Sequence, residues 1–160
     1  MISGKTGRIT IAVVGRLKKS EWQSAQDKYL KRLKRYSTVS LVEVKDSVGR
    51  GFPDAVAMER EGKALVDAGA DARRRILLTP NGRELDSEQF AAYLQRRIEI
   101  YGYLAFIIGG PLGFSPEAES AVEESLSLSR LTFPHELARV MFLEQLYRAF
   151  TILRGEPYHK

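Results

Sequence analysis

The chain has 160 residues, 44% hydrophobic and 28% charged, with 25 Lys plus Arg against 20 Asp plus Glu for a formal net charge of +5. This size and balance fit one folded domain with a sizeable core and argue against disorder. With no cysteine, disulfides and thiolate metal sites are excluded, and a reducing, cytoplasmic setting is the default.

No apolar run approaches the ~18 residues that a membrane-spanning helix needs. Residues 1–8 lack the apolar centre of a secretory signal. The positive charge permits a nucleic-acid partner without requiring one.

Ile9-Thr10-Ile11-Ala12-Val13-Val14-Gly15 is β-branched, short and ended by glycine, which predicts a buried strand. Ser20 is placed to cap a helix, with Glu21 in its first turn. Trp22, Ala25, Tyr29, Leu30 and Leu33 then recur at helical spacing. The opposite face carries Lys28, Lys31, Arg32, Lys34 and Arg35, either a solvated surface or a phosphate-contacting one. Residues 39–45 alternate apolar and polar, the pattern of a half-buried strand. Residues 46–53 form a loop punctuated by glycine and proline. A helix follows from Asp54 to near Gly69, with a charged, surface-like middle at Glu59-Arg60-Glu61-Gly62-Lys63.

Ile76-Leu77-Leu78-Thr79 reads as a strand, and Pro80-Asn81-Gly82-Arg83 as a turn. Asp86 or Ser87 opens a helix marked by Phe90, Leu94, Ile98 and Ile100. Tyr103 to Ile108 is again strand-like. The alternation of strands and helices predicts one α/β domain over residues 1–160, with a mostly parallel sheet and helices on both faces.

The loop Gly109-Gly110-Pro111-Leu112-Gly113 follows a strand and precedes a helix, with Ser115 as N-cap, Pro116 at N1 and Glu117 in the first turn. It is either a tight turn or a place where backbone approaches a ligand closely. It lacks the Gly-Lys-Ser/Thr ending of a P-loop and the Gly-x-Gly-x-x-Gly of a dinucleotide site. A second loop, Leu128-Ser129-Arg130-Leu131-Thr132-Phe133-Pro134, is apolar but stopped by proline. It is either a core-facing connection or a set of backbone groups able to hold a base edge between apolar side chains. Pro134 opens a final helix to about Leu153. Its apolar surface is wider than one stripe, which points to a subunit interface as much as to a core. Glu144 and Arg148 are an i, i+4 pair on it. The two histidines, His135 and His159, have no metal-ligand spacing, so no metal is expected. No nucleophile elbow or Ser/His/Asp order supports hydrolase chemistry.

Ile107-Ile108-Gly109-Gly110-Pro111-Leu112-Gly113, Leu126-Ser127-Leu128-Ser129 with Leu131-Thr132-Phe133-Pro134-His135, Glu144-Gln145-Leu146-Tyr147-Arg148-Ala149 and Pro157-Tyr158-His159 together resemble the signature of the RlmH family. These are SPOUT-class, S-adenosylmethionine-dependent methyltransferases of ribosomal RNA. The resemblance covers nearly the whole chain from Ile9, leaving residues 1–7 as an N-terminal extension. It implies a SPOUT-type fold with a C-terminal trefoil knot, a homodimer with the active site at the subunit interface, and N3 methylation of pseudouridine 1915 of 23S rRNA in the assembled ribosome. It implies cofactor contacts from Leu78, Gly109, Gly110 and the run Leu128, Ser129, Arg130, Leu131, Thr132 and Phe133.

Arg139, Tyr147, Arg148, Tyr158 and His159 are then expected near the target nucleotide. An arginine would hold phosphate or the deprotonated base, Tyr158 would stack, and His159 would move a proton, histidine being the side-chain type suited to proton transfer near neutrality. Arg139, Arg148, Tyr158 and His159 are the expected catalytic set. The competing expectation is a dimeric RNA-binding or ribosome-assembly protein that keeps the fold without catalysis.

Overall fold

The structure, a computed structural model, describes residues 4–160. Five strands, β1 (Arg8–Val14), β2 (Thr38–Val44), β3 (Arg74–Glu84), β4 (Tyr103–Ile108) and β5 (Glu124–Ser127), form one sheet in the order β2-β1-β4-β3-β5. Every neighbouring pair is parallel. A parallel sheet needs cover on both faces, because its crossovers place helices there. The helices are α1 (Ser20–Leu33), α2 (Asp54–Ala68), α3 (Ser87–Tyr101), α4 (Pro116–Ser120) and α5 (His135–Leu153).

The period of two along each strand sorts side chains between two cores. Ile9, Ile11, Val13, Ile76, Leu78, Leu104, Phe106 and Ile108 pack with Leu33 of α1, Phe90 and Leu94 of α3, and Phe142, Leu143 and Leu146 of α5. Ala12, Val14, Leu77 and Ile107 pack with Leu65 and Ala68 of α2 and with Phe114. Each large side chain buried in this way contributes about 1.5–3 kcal/mol.

The predicted elements stand with three differences. Ser20 is the first helical residue of α1, not its cap: Lys19 holds the N-cap position and makes no side-chain cap bond. Asp86, by contrast, forms a full capping box with Gln89, and Ser115 Oγ accepts from Ala118 N at 3.2 Å. The second difference is at Pro80-Asn81-Gly82-Arg83, where β3 runs on to Glu84 and its pairing with β5 shifts register between Leu78 and Arg83. Gly82 accounts for this. A Cβ there would lie 2.5 Å from the carbonyl carbon of Leu126, so glycine admits β5 where other residues would force a turn away.

The third difference is α5. Its breadth of apolar surface is spent inside the chain, since Val140, Phe142, Leu143, Leu146, Ala149 and Phe150 are all buried and α5 packs against α1, α3 and β4. No subunit interface is needed to explain it. At the N-terminus, residues 1–3 of the expected extension lie outside the described residues. Residues 4–7 are tied down: Thr6 N donates to Tyr36 O at 2.8 Å, Thr38 N to Gly7 O at 3.3 Å, and Arg154 Nη2 to Gly4 O at 2.5 Å.

Candidate active site

Parallel strands end together, and loops leaving their carboxyl ends make the crevice of an α/β fold. Here the middle of β3, the end of β4 and the chain leaving β5 enclose a cleft of about 500 Å³, within the roughly 300–1,000 Å³ usual for small-molecule sites. Leu78, Gly109 and Gly110 line it, as do Leu128, Ser129, Leu131, Thr132 and Phe133. Two segments far apart in sequence are thus brought together where the sequence placed a binding site. Arg130 is the exception in its run. Its side chain turns outward, 86% exposed, onto Glu84. Any contact it makes with a ligand in the cleft would come from its backbone.

Local chemistry sets the loop shapes. Ser129 Oγ accepts from Leu131 N at 3.0 Å, a side-chain turn that curls the second loop. Gly113, at φ +77°, closes the first loop by donating to Gly110 O at 3.1 Å. The rings of Phe114 and Phe133 and the side chain of Leu78 give the cleft apolar walls. His135 sits at its edge, and burial pushes its pKa down, favouring the neutral ring. No lysine or arginine lines the cleft. Such walls suit an aromatic base bonded by main-chain groups and do not suit a polyphosphate, whose charges need basic partners.

The tail forms a separate cluster. Glu144 Oε1 accepts from Arg148 Nη2 at 2.6 Å and from the Tyr158 hydroxyl at 3.0 Å, while Gln145 Nε2 donates to Glu144 Oε2 at 2.9 Å. Arg148 Nη1 also donates to His159 Nδ1 at 3.2 Å. Because an arginine can only donate, this Nδ1 accepts, and a neutral His159 ring carries its proton on Nε2. The Arg148 guanidinium lies 4.9 Å over the Tyr158 ring. Burial, then hydrogen bonding with Tyr29 and Glu144, raises the Tyr158 pKa well above its ordinary value, so it stays a phenol.

Three of the four expected catalytic residues are therefore together, but none of them lines the cleft. The fourth is elsewhere. Arg139 is 1% exposed. Its Nη2 donates to Val14 O and Gly15 O at 2.8 and 2.9 Å, and its Nη1 to Glu43 and Gln26 at 3.2 and 3.4 Å. It braces the end of β1 against α5, and both of its terminal nitrogens are engaged there. Tyr147 is packed among Tyr29, Tyr36 and Tyr158, mostly buried. Both residues look functional in sequence because they stand in the motif-bearing helix; the side they face is set by packing.

A second cleft, of about 550 Å³, opens beside the tail cluster, lined by Tyr29, Leu85, Met141, Glu144 and Gln145 among others. It shares only Leu78 and Leu128 with the first. One residue near the first cleft escaped sequence reasoning. Glu61, in the stretch expected to be surface, is 2% exposed and accepts at one oxygen from Ser47 N at 2.7 Å and Val48 N at 3.0 Å. The only sequence signal is the glycine beside it, unusual in mid-helix.

Among the described residues, no helix is long and apolar enough to cross a membrane, and no group of three His, Asp or Glu could hold a metal.

Known proteins resemble this chain closely. A family described as "Predicted SPOUT methyltransferase" matches residues 8–159. Proteins of Bacillus thuringiensis (strain Al Hakam), Bacillus cereus (strain B4264) and Bacillus anthracis, each named ribosomal RNA large subunit methyltransferase H, are 41% identical over 158 residues, covering 95% of this chain and 99% of theirs. The crystal structure of a probable rRNA-methyltransferase from Porphyromonas gingivalis superposes with a TM-score of 0.54 at 18% identity, covering 94% of this chain and 71% of that one. At that identity it speaks for the fold alone.

Proposed function

The chain belongs to the SPOUT methyltransferase family, and from that premise we propose that it methylates N3 of pseudouridine 1915 in 23S rRNA of the assembled ribosome, with S-adenosylmethionine as methyl donor. The observation that carries the reading is the likeness, along almost its whole length, to relatives named for large-subunit rRNA methylation. The cytoplasm is the matching compartment, and the trefoil threading of the C-terminal part belongs to the same reading.

The cleft fits the donor. Its walls are apolar and free of lysine and arginine, its floor is a pair of glycines, and Leu128, Ser129, Leu131, Thr132 and Phe133 edge it. Leu78, Phe114 and Phe133 would flank the adenine, with backbone groups bonding its edge. When bound, the donor supplies a sulfonium methyl group that an in-line displacement can transfer without a metal.

The residues of this chain then do two things. The cleft orients one reactant, an effect of positioning worth several kcal/mol. The tail cluster handles the base. Arg148, held by Glu144, offers a guanidinium to the negative charge left when the N3 proton departs. Moving that guanidinium onto the substrate frees His159 Nδ1 to take a proton. Tyr158 stays protonated and serves as a donor or stacking surface.

The tail does not line the cleft of its own chain, so these parts meet in one site if a second copy supplies the tail. This separation supports a homodimer. The apolar lining of the second cleft, beside the tail, is where we place the partner. Lys28 and Lys31 of α1, with Lys34 and Arg35 just beyond its end, are exposed and offer charge to the rRNA backbone.

The test is to incubate the protein with labelled S-adenosylmethionine and ribosomes lacking the modification, then map the label by mass spectrometry of the rRNA. Label at N3 of that pseudouridine is expected. Label elsewhere, or none although the donor binds, overturns the reading. Absence of both label and donor binding would favour the non-catalytic RNA-binding protein.

A further inference from the structure

Helix α2 touches the glycine loop of the cleft at both ends through two consecutive residues. A Cβ on Gly110 would lie 2.6 Å from Glu61 Oε1, so this carboxylate lies directly against the floor glycine. A Cβ on Gly62 would lie 3.2 Å from Ser115 Oγ and 3.1 Å from Ala118 Cβ, so glycine lets α2 seat against the N-cap of α4. A glycine inside a helix costs about 1 kcal/mol relative to alanine. Close approach to the loop explains why one stands here.

The other carboxylate oxygen, Oε2, takes the main-chain amides of Ser47 and Val48. These belong to the loop between β2 and α2, in which Gly49 and Gly51 adopt positive φ. A nearly fully buried carboxylate thus has one oxygen on the floor of the cleft and the other on a loop outside its lining. Neither contact serves the methyl-transfer steps derived above.

We propose that Glu61 is a positioning residue that couples the methyl-donor cleft to the loop at residues 46–51. Filling the cleft presses the Gly109–Gly110 floor against Glu61 and fixes the two amides it holds; a disordered loop in turn loosens the floor. The proposal rests on the reading of the cleft as the methyl-donor site.

The experiment uses the full chain with S-adenosylhomocysteine as probe, following affinity by calorimetry and loop order by amide hydrogen exchange at residues 47 and 48. In the wild type the probe slows exchange of both amides. Glu61→Ala abolishes that slowing and weakens the probe by about tenfold, the scale of one lost charged hydrogen bond. Gly110→Ala weakens the probe in the wild type but has little further effect in the Glu61→Ala background, where the added methyl meets no carboxylate. Should Glu61→Ala not fold, Glu61→Asp, whose shorter side chain also clears a Cβ at 110, serves in the same comparison.

Persistence of the slowing without Glu61, or an equal cost of Gly110→Ala in both backgrounds, overturns the proposal. Failure of the wild type to bind the probe overturns instead the reading of the cleft.

Discussion

Arg139 Nη2 donates to Val14 O at 2.8 Å across 125 residues of chain, joining the first third of α5 to the end of the first strand. The same guanidinium reaches Gly15 O, Gln26 and Glu43, and only its Nε lacks a partner. Arg139→Ala strands buried carbonyls and the Glu43 carboxylate. It should destabilise the fold by roughly 3–5 kcal/mol, the cost of breaking a buried charged network from one side. Urea denaturation checks this. Donor affinity measured well below the new midpoint should change little, which separates a brace from a catalytic group.

Glu124 makes stability depend on acid. Burial raises its pKa, but hydrogen bonds from Arg97, Arg74 and Tyr93 outweigh burial and hold it at about 2, against 4.5 in the unfolded chain. Its contribution is therefore fully present above pH 4.5 and is lost as pH falls towards 2. Discounted for solvent screening, the size is on the order of 1–2 kcal/mol. Unfolding free energies of the wild type should fall across that window, and those of Glu124→Gln should fall less steeply.

Gly82→Ala should be costly for its size. The new methyl would meet the Leu126 backbone at 2.5 Å, and backbone does not yield as a side chain does. β5 would be pushed from β3, and with it the loop at 128–133 that edges the cleft. A drop in melting temperature accompanied by weaker S-adenosylmethionine binding is expected. Undiminished affinity would show that the loop holds its shape without this strand pairing.

The separation of tail and cleft yields a complementation test. Arg148→Ala and His159→Ala should each lower methylation of ribosomes by about 10²-fold, the scale of lost acid–base catalysis, and leave donor affinity unchanged. A variant with a blocked cleft, Gly109→Trp, should be inactive for the opposite reason. Mixing it with a tail variant under exchange conditions should restore part of the activity, because a mixed pair holds one intact site. No recovery despite measured exchange would place tail and cleft of one site on the same chain.

Much of this was legible in the sequence, for reasons that differ by residue. Ile9 to Val14 and Tyr103 to Ile108 declare themselves as strands because both faces of a parallel strand are buried, leaving an unbroken apolar run. Gly109, Gly110 and the run at 128–133 were found because glycine and proline punctuation follows each strand. What could not be read was orientation. Arg139, Arg148 and Tyr147 sit in one helix, and whether an arginine faces a strand end or a tail depends on helices α1 and α3, which are distant in sequence. Glu61 was misplaced for the same reason: charged neighbours mark a surface, and only the tertiary approach of Gly110 and Ser47 makes its site an interior one. The strand continuing through Pro80 to Glu84 was hidden because turn chemistry and a close backbone crossing use the same glycine.

The position of β5 at the sheet edge has a consequence in time. Its partner strand ends 40 residues earlier, at Glu84, and the cleft takes its walls from residues 78–80, 108–114 and 128–138. Parallel pairings of such separation close slowly, since the chain between them must first be gathered in. During synthesis β1 to β4 emerge before residues 128–138, which complete the cleft. The ability to bind is then the last property to mature, and a refolding experiment followed by donor binding should lag behind one followed by helix content.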